Sequence, residues 1–475
     1  MHTNKLITLL QTFSSHELVR FRKYLLSPFF NENEELVRLY EAVRPILSSN
    51  NKTEGKDDKL GVWAKMFPRK DFNDTRFRRL CSDLLRLAMD FLAYNNYVRH
   101  PGSTHRYLLD AMTGTPLKKH FNGAIRQMEK TLMAAGNRDA DYHYLSYFMN
   151  RKLQEQQEHD PNKAALFDHL KKASYHLDCY YLSKKLEQYT DSLGYQDMLS
   201  EAEDIQLFPG LLEHVKNSHY LNEPAVKAWY LIVLMRLYPE QEDYFFQLKN
   251  LIENEGHCFP QKELHTFFIH LMNYCIYTKI NQNRPDYYEE LFYLYLISIE
   301  KEIIFINQQL NPHHYKNIIT ISLRLEKFEW VENFIQNYTH LLPESDKENA
   351  YNYNLANVYF SQGKYEKVIE QLREVEYQNI TYALGSKLLL LRTYFELKED
   401  TALSSLIDSF RIYLRRNREI TTSVKQQYMN TLRFTKKIAS IAPYDERSKD
   451  KIIEKINNSN ALVLKNWLLE KVSGI

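Results

Sequence analysis

A chain of 475 residues, 44% hydrophobic and 26% charged, has the composition of a folded protein and excludes a disordered one; it can form about three ordinary domains or one extended array. A formal net charge of +2 excludes a whole-molecule field that steers the chain to nucleic acid or a membrane surface, so any such contact must come from a local patch. Twelve glycines are too few for the tight turns and phosphate-cradling loops of a doubly wound nucleotide-binding fold, and the longest apolar stretches, such as Leu291 to Ile299, are about half the ~20 residues of a membrane span.

The first hundred residues predict a helical unit. Ser14 and Glu17 have the capping-box spacing, and Leu18, Phe21 and Leu25 then recur at helical period until Ser27-Pro28. Asn31 and Glu34 open a second helix carrying Leu36, Leu39, Tyr40 and Val43. The polar stretch from Ser48 to Lys59 predicts an exposed, mobile loop. Asp74 is placed as the cap of an amphipathic helix through Phe77, Leu80, Leu84, Leu87 and Phe91, with Arg76, Arg79 and Arg86 on its other side. A boundary is expected at His100-Pro101-Gly102. Long charged helices are expected over 117–135, 142–157 and 162–193, punctuated by Asp160-Pro161 and Gly194.

From about Leu221 helix starts are expected near Glu223, Pro260, Pro312, Glu348, Ala383 and Ile420, with Pro239, Pro285 and Pro343 between helices. The chain closes with an apolar stripe of Leu462, Leu464, Trp467 and Leu468, suited to a helix that seals the end of a stack. Thirty-five tyrosines suit seams between helices, where the ring packs and the hydroxyl reaches a polar group. The four cysteines, Cys81, Cys179, Cys258 and Cys275, have no zinc or redox spacing and read as buried small hydrophobes in a reducing compartment. With no secretory signal read at the N-terminus, a cytoplasmic location is expected.

Two windows about 35 residues apart share a pattern. One has Leu355, Ala356, Tyr359, Gly363, Val368 and Leu372; the other has Leu390, Leu391, Tyr394, Leu403 and Ile407. An earlier, weaker copy has Tyr315, Ile318, Ile319, Ser322, Val331, Ile335 and Pro343. The segment from about Pro312 to Arg418 thus resembles tetratricopeptide repeats, helical hairpins of about 34 residues. It departs from them at Asn352 in the tryptophan place, at Ile380 in the proline place, at Ser322 in a tyrosine place, and at Ile319 and Leu391, which are bulky where a small residue is the rule. The chain as a whole also looks like a family of helical proteins from Bacteroidota-type bacteria, a likeness that implies no activity.

The resemblance implies an all-α protein, an α-α superhelix of tetratricopeptide-like hairpins with a helical N-terminal unit. The expected organisation is residues 1–100, a charged middle region at 101–210, and a repeat domain with a capping helix at 211–475. It also implies a concave face lined by the first helix of each pair, placing Lys316, Asn317, Arg324, Asn354, Asn357 and Arg392 on a partner groove. Amide and guanidinium donors there suit an acidic side chain or chain-terminal carboxylate of a protein or peptide. Solvated helix faces and inter-repeat hydrogen bonds are the alternative use of the same residues.

A basic run, Arg411, Arg415, Arg416 and Arg418, continues through Lys425, Arg433, Lys436 and Lys437, with Glu419 its one acid. It suits phosphates or an acidic surface, or simply a solvated face near a helix C-terminus. Nucleic acid is the second-ranked partner, and a helix-turn-helix reading of Arg76 to Arg86 ranks lower still. No phosphate loop, nucleophile elbow or two-histidine metalloprotease motif is present, and His265 and His270, five positions apart, diverge around a helix. Neither catalysis, cofactor nor metal is expected.

Overall fold

The computed structural model describes residues 5–47, 59–156, 163–198, 207–373, 380–441, 445–459 and 461–474. The expected loop at Ser48 to Asp58 and the Asp160-Pro161 break lie outside them. The protein is all-α: twenty-three α-helices and one two-stranded hairpin account for the regular structure of the described residues beyond short 3-10 and π turns. The chain divides into two compact units, Met1–Tyr230 and Leu231–Ile475, and the division falls inside a helix.

The first unit begins with α1 (Lys5–Gln11), α2 (Ser15–Leu25), α3 (Glu34–Leu47), α4 (Lys59–Met66) and α5 (Asp74–Arg99). Ser14 and Glu17 form the reciprocal cap, with Glu17 N donating to Ser14 Oγ at 3.2 Å and Ser14 N to Glu17 Oε2 at 3.0 Å. The start of α5 is shifted by one residue from the sequence expectation. Asn73, in extended backbone, accepts from Arg76 N at 2.9 Å, and Asp74 is already helical. Phe13, Phe21, Tyr24, Tyr40 and Phe91 form one aromatic core, in which Phe21 meets Tyr40 edge-on at 5.3 Å.

There follow α6 (Pro101–Met112), α7 (Lys118–Ala135), α8 (Ala140–Gln156), α9 (Lys163–Met198), α10 (Leu211–Asn217) and α11 (Pro224–Leu237). At His100 one helix ends and the next opens, with Pro101 at the first helical position, but both belong to the same unit. Gly194 does not end its helix: α9 runs through it to Met198, since a lone glycine costs a helix only about 1 kcal/mol. α8 and α9 lie along each other as a long hairpin.

The second unit continues with α12 (Asp243–Glu255), α13 (Gln261–Asn273), π-helical turns at Tyr274–Lys279, and α14 (Tyr287–Glu300). The antiparallel strands β1 (Phe305–Ile306) and β2 (Gln309–Leu310) follow. Then come α15 (Pro312–Arg324), α16 (Phe328–Tyr338), α17 (Lys347–Ser361), α18 (Tyr365–Leu372), α19 (Ile380–Glu396) and α20 (Asp400–Arg416). The chain closes with α21 (Thr422–Ala439), α22 (Glu446–Asn457) and α23 (Lys465–Ser473). The starts of α11, α13, α15, α17, α19 and α21 all fall within three residues of the expected positions.

Three successive hairpins, α15/α16, α17/α18 and α19/α20, turn in the same way. Glu326, Gly363 and Lys398 each take left-handed backbone, at φ 55°, 71° and 57°. The residue after each donates its N–H five residues back: Lys327 to Ser322 O at 2.9 Å, Lys364 to Tyr359 O at 2.9 Å and Glu399 to Tyr394 O at 3.0 Å. This is the Schellman ending of a helix. The acceptors, Ser322, Tyr359 and Tyr394, are the three residues that the sequence pattern aligns. Asn283, at φ 64°, makes the same turn before α14, with Arg284 N donating to Lys279 O at 3.1 Å.

Each hairpin packs on the next, and the first helices α15, α17 and α19 also pack on one another in that order. Gly385 sets the approach of α17 to α19, because a Cβ there would lie 2.8 Å from Tyr353 Oη. Ile319, Ala356 and Leu391 are all buried. At the C-terminus Trp467 of α23 packs edge-on against Phe395 of α19 at 5.3 Å, and Lys471 Nζ reaches Glu396 Oε1 at 2.9 Å.

Left-handed backbone costs a residue with a Cβ about 1 kcal/mol, a penalty glycine avoids. Lys398→Gly is therefore expected to stabilise the protein by about 0.5–1 kcal/mol and Gly363→Ala to destabilise it by about 1 kcal/mol. Urea midpoints of the two variants check the opposite signs.

Candidate functional site

The six residues expected on a partner groove lie on three neighbouring helices, but the structure treats them differently. On α15, Lys316 and Arg324 are exposed, while Asn317 is half-buried beside the Tyr295 hydroxyl of α14. On α17, Asn354 is buried and its amide donates to Ala350 O at 2.7 Å. Asn357, half-buried, donates in the same way to Tyr353 O at 2.8 Å. Helix neighbours packed about α17 shut the Asn354 amide off from solvent, and both amides bond their own backbone one turn back. Asn354 therefore offers nothing to a surface ligand. Arg392 of α19 lies with its guanidinium 4.1 Å from the Phe360 ring centroid and 5.9 Å from that of Trp467, and burial pulls its pKa below the ordinary arginine range. Its place is a stacked seam between α17, α19 and α23. Of the six, Lys316 and Arg324 remain as exposed charges on one helix face, two turns apart.

The basic run separates in a similar way. Arg411 of α20 and Arg433, Lys436 and Lys437 of α21 line one cleft of about 470 Å³, closed on the far side by Asp445 and Ser448 at the start of α22, with Ile441 and Ile452 as its apolar part. Arg415, Arg416 and Arg418 are exposed and do not line it.

The sequence did not point to a polar cluster inside the first unit. His143 of α8, fully buried, places Nδ1 3.0 Å from Nδ1 of His176 on α9 and Nε2 3.5 Å from Glu223 Oε2 at the start of α11. The Tyr175 hydroxyl donates to the other Glu223 oxygen, and the Tyr220 hydroxyl donates to Asp178 Oδ2 at 2.6 Å. The His143 ring beside it, Nε2 at 3.5 Å, holds the Glu223 carboxyl down at about 2, against the opposing effect of burial. Burial pulls His176 down to about 4 and pushes the Cys179 thiol up to about 12. The residues come from α8, α9 and the α11 entry, more than thirty positions apart in sequence, so no local spacing announces them.

A second missed cluster surrounds Lys279, which is 5% exposed at the end of the π-helical turns. Its ammonium reaches Glu242 Oε1 at 2.9 Å and lies 5.2 Å and 5.6 Å from the Tyr274 and Tyr287 ring centroids. Arg284 binds the same Glu242 oxygen at 2.7 Å, and the bond to Lys279 leads in lowering the Glu242 pKa to about 2. A π-helical insertion often marks a functional place, but here it turns Lys279 inward to a ready-made partner.

His265 lies low in pKa and His314 at about 4, both through burial. Among the described residues no three His, Cys, Asp or Glu side chains converge to hold a metal ion, and no helix is long and apolar enough to cross a membrane. Comparison with protein-family models, curated proteins and solved structures found no match to this chain.

The His176 proton binds at about 4 in the folded chain and at about 6.5 in the unfolded one, so protons favour unfolding between those values. Stability of the α8–α9 hairpin is expected to be full above about pH 6.5 and to fall as pH drops toward 4. Glu223, lowered from 4.5 to about 2, extends the loss below that window. His176→Gln should flatten the upper part and leave the lower. Hydrogen exchange of α8 and α9 amides, normalised to intrinsic rates, measures both.

Proposed function

We propose that the protein is a non-catalytic protein-binding scaffold whose second unit is an α-α superhelix of tetratricopeptide-like hairpins. The supporting observation is the repeated turn at Glu326, Gly363 and Lys398 together with the run of first helices α15, α17 and α19. A helix pair of this kind cannot bury its own apolar face and must lean on neighbours, which generates an extended wall suited to a partner chain.

On this reading the wall formed by α15, α17 and α19 receives an extended or helical segment of a protein. The exposed cations Lys316 and Arg324 favour an acidic side chain or a free terminal carboxylate, with Asn317 at their edge. Arg392, the buried Asn354 and the half-buried Asn357 support the wall from behind; they hold the helices in place and leave the first contact to α15. The low carboxyls of the two clusters, Glu223 and Glu242, are each bonded to neighbouring side chains, and this agrees with a structural role for both clusters. The setting on this reading is the reducing cytoplasm, in which buried cysteines such as Cys179 and Cys275 stay as thiols.

Selection on a peptide library with free C-termini, repeated with amidated termini, tests the reading. Enrichment of acidic, free-carboxylate peptides is expected, with Lys316→Glu plus Arg324→Glu weakening the selected peptides at least about tenfold at unchanged helicity. Selection of the same peptides by that variant would remove α15 from the binding wall.

A further inference from the structure

We propose that the cleft between α20, α21 and α22 binds a small anion carrying two adjacent phosphoryl groups. This site is separate from the partner wall and does not rest on the scaffold reading.

The first argument is charge without a counter-charge. Arg433, Lys436 and Lys437 stand at i, i+3 and i+4 on α21, so three like charges share one helix face, an arrangement that costs the helix a few tenths of a kcal/mol per pair. None of the three has an ion-pair partner among the described residues. Arg411 faces them from α20 and meets only Asp408, at 3.4 Å on its own helix. The nearby acids are committed elsewhere. Glu446 pairs with Lys449 at 2.8 Å, and Asp445 caps α22 by accepting Ser448 N at 3.1 Å. Four cations against two carboxylates, Asp408 and the capping Asp445, leave a surplus that a ligand with two or more negative charges would neutralise.

The second argument is shape. The cleft encloses about 470 Å³, the size of a small-molecule pocket and too small for a duplex. The guanidinium groups of Arg411 and Arg433 supply forked donors for phosphoryl oxygens, and the two ammonium groups supply point charges. Ser448, at the start of α22, adds a hydroxyl to the same place. Ile441 and Ile452 give the cleft an apolar part, against which the organic moiety of a nucleoside diphosphate would pack; inorganic pyrophosphate would use the cations alone. The two sources share the diphosphate, and that is the group the cleft recognises.

Calorimetric titration of the full chain with inorganic pyrophosphate and with a nucleoside diphosphate tests this, in low salt. Saturable one-to-one binding of at least one is expected, and preference for the nucleoside form assigns the apolar part its role. Arg433→Gln with Lys436→Gln should weaken binding at least about tenfold, while Arg415→Gln with Arg416→Gln, removing the same charge outside the cleft, should change it less than about twofold. A footprint on the unaltered protein guards against misfolding of the variants: saturating pyrophosphate should shield Lys436 and Lys437, but not the exposed Lys398, from acetylation. Failure of both ligands to saturate, or equal loss in the two double variants, overturns the proposal. So does a single-stranded oligonucleotide without terminal phosphates that binds as tightly as the diphosphates and is weakened by both double variants, for then the cations form a nucleic-acid track.

Discussion

The enclosure of the middle of α17 is the constraint on which the second unit depends. Ala350, Asn352, Asn354, Leu355, Ala356 and Val358 are all buried, and these positions are spread around the helix instead of along one face. A helix buried on several sides is stable only with neighbours packed about it, here α15, α16, α18 and α19. The enclosure also decides the fate of its polar residues. Asn354 turns back on its own helix, and Asn352 Oδ1 accepts from Gln371 Nε2 at 2.6 Å, because an amide left unpaired in that position would cost on the order of 1–3 kcal/mol. Gly385 follows from the same closeness, since only a residue without a Cβ lets α19 approach the Tyr353 ring.

Both units bury ionisable groups, and both do so in pairs. Glu223 is met by His143 and Tyr175, and Lys279 by Glu242 between two tyrosine rings. A buried charge that loses its partner costs far more than the pair contributes, so these clusters fix which helix faces meet more than they add to stability. In the first unit the acid joins the α8–α9 hairpin to the entry of α11. In the second the lysine joins the π-helical turns to the entry of α12. The tyrosines abundant in the sequence serve as hydroxyl donors and aromatic walls at these seams.

Positive charge gathers at two places on the surface of the second unit. Lys316 and Arg324 project from α15, and the four cations around α21 face a cleft. The two places differ in kind: one is an exposed helix face, the other a small concavity. Nothing in the helical framework requires cations at either place, whereas Arg392, equally basic in sequence, is used up as a stacking element between Phe360 and Trp467.

The all-α class and the starts of the odd-numbered helices from α11 to α21 were legible in the sequence, because proline position, apolar period and glycine scarcity are local properties that helices must obey. The repeat was legible in its aligned apolar positions, but its turn only where Gly363 marks it. Glu326 and Lys398 make the same left-handed turn without a glycine, since the hydrogen bonds to Ser322 and Tyr394 and the packing of the next helix outweigh a backbone penalty of about 1 kcal/mol. Tertiary structure alone decided which polar residues face outward. Asn354 and Arg392 are polar hydrogen-bond donors like Lys316, but their surroundings are set by helices distant in sequence. For the same reason the sequence showed the basic run, while only the fold divided it into a cleft around Arg433 and a solvated edge around Arg415. Period and caps are carried by neighbours along the chain; burial and electrostatic pairing are carried by neighbours across it.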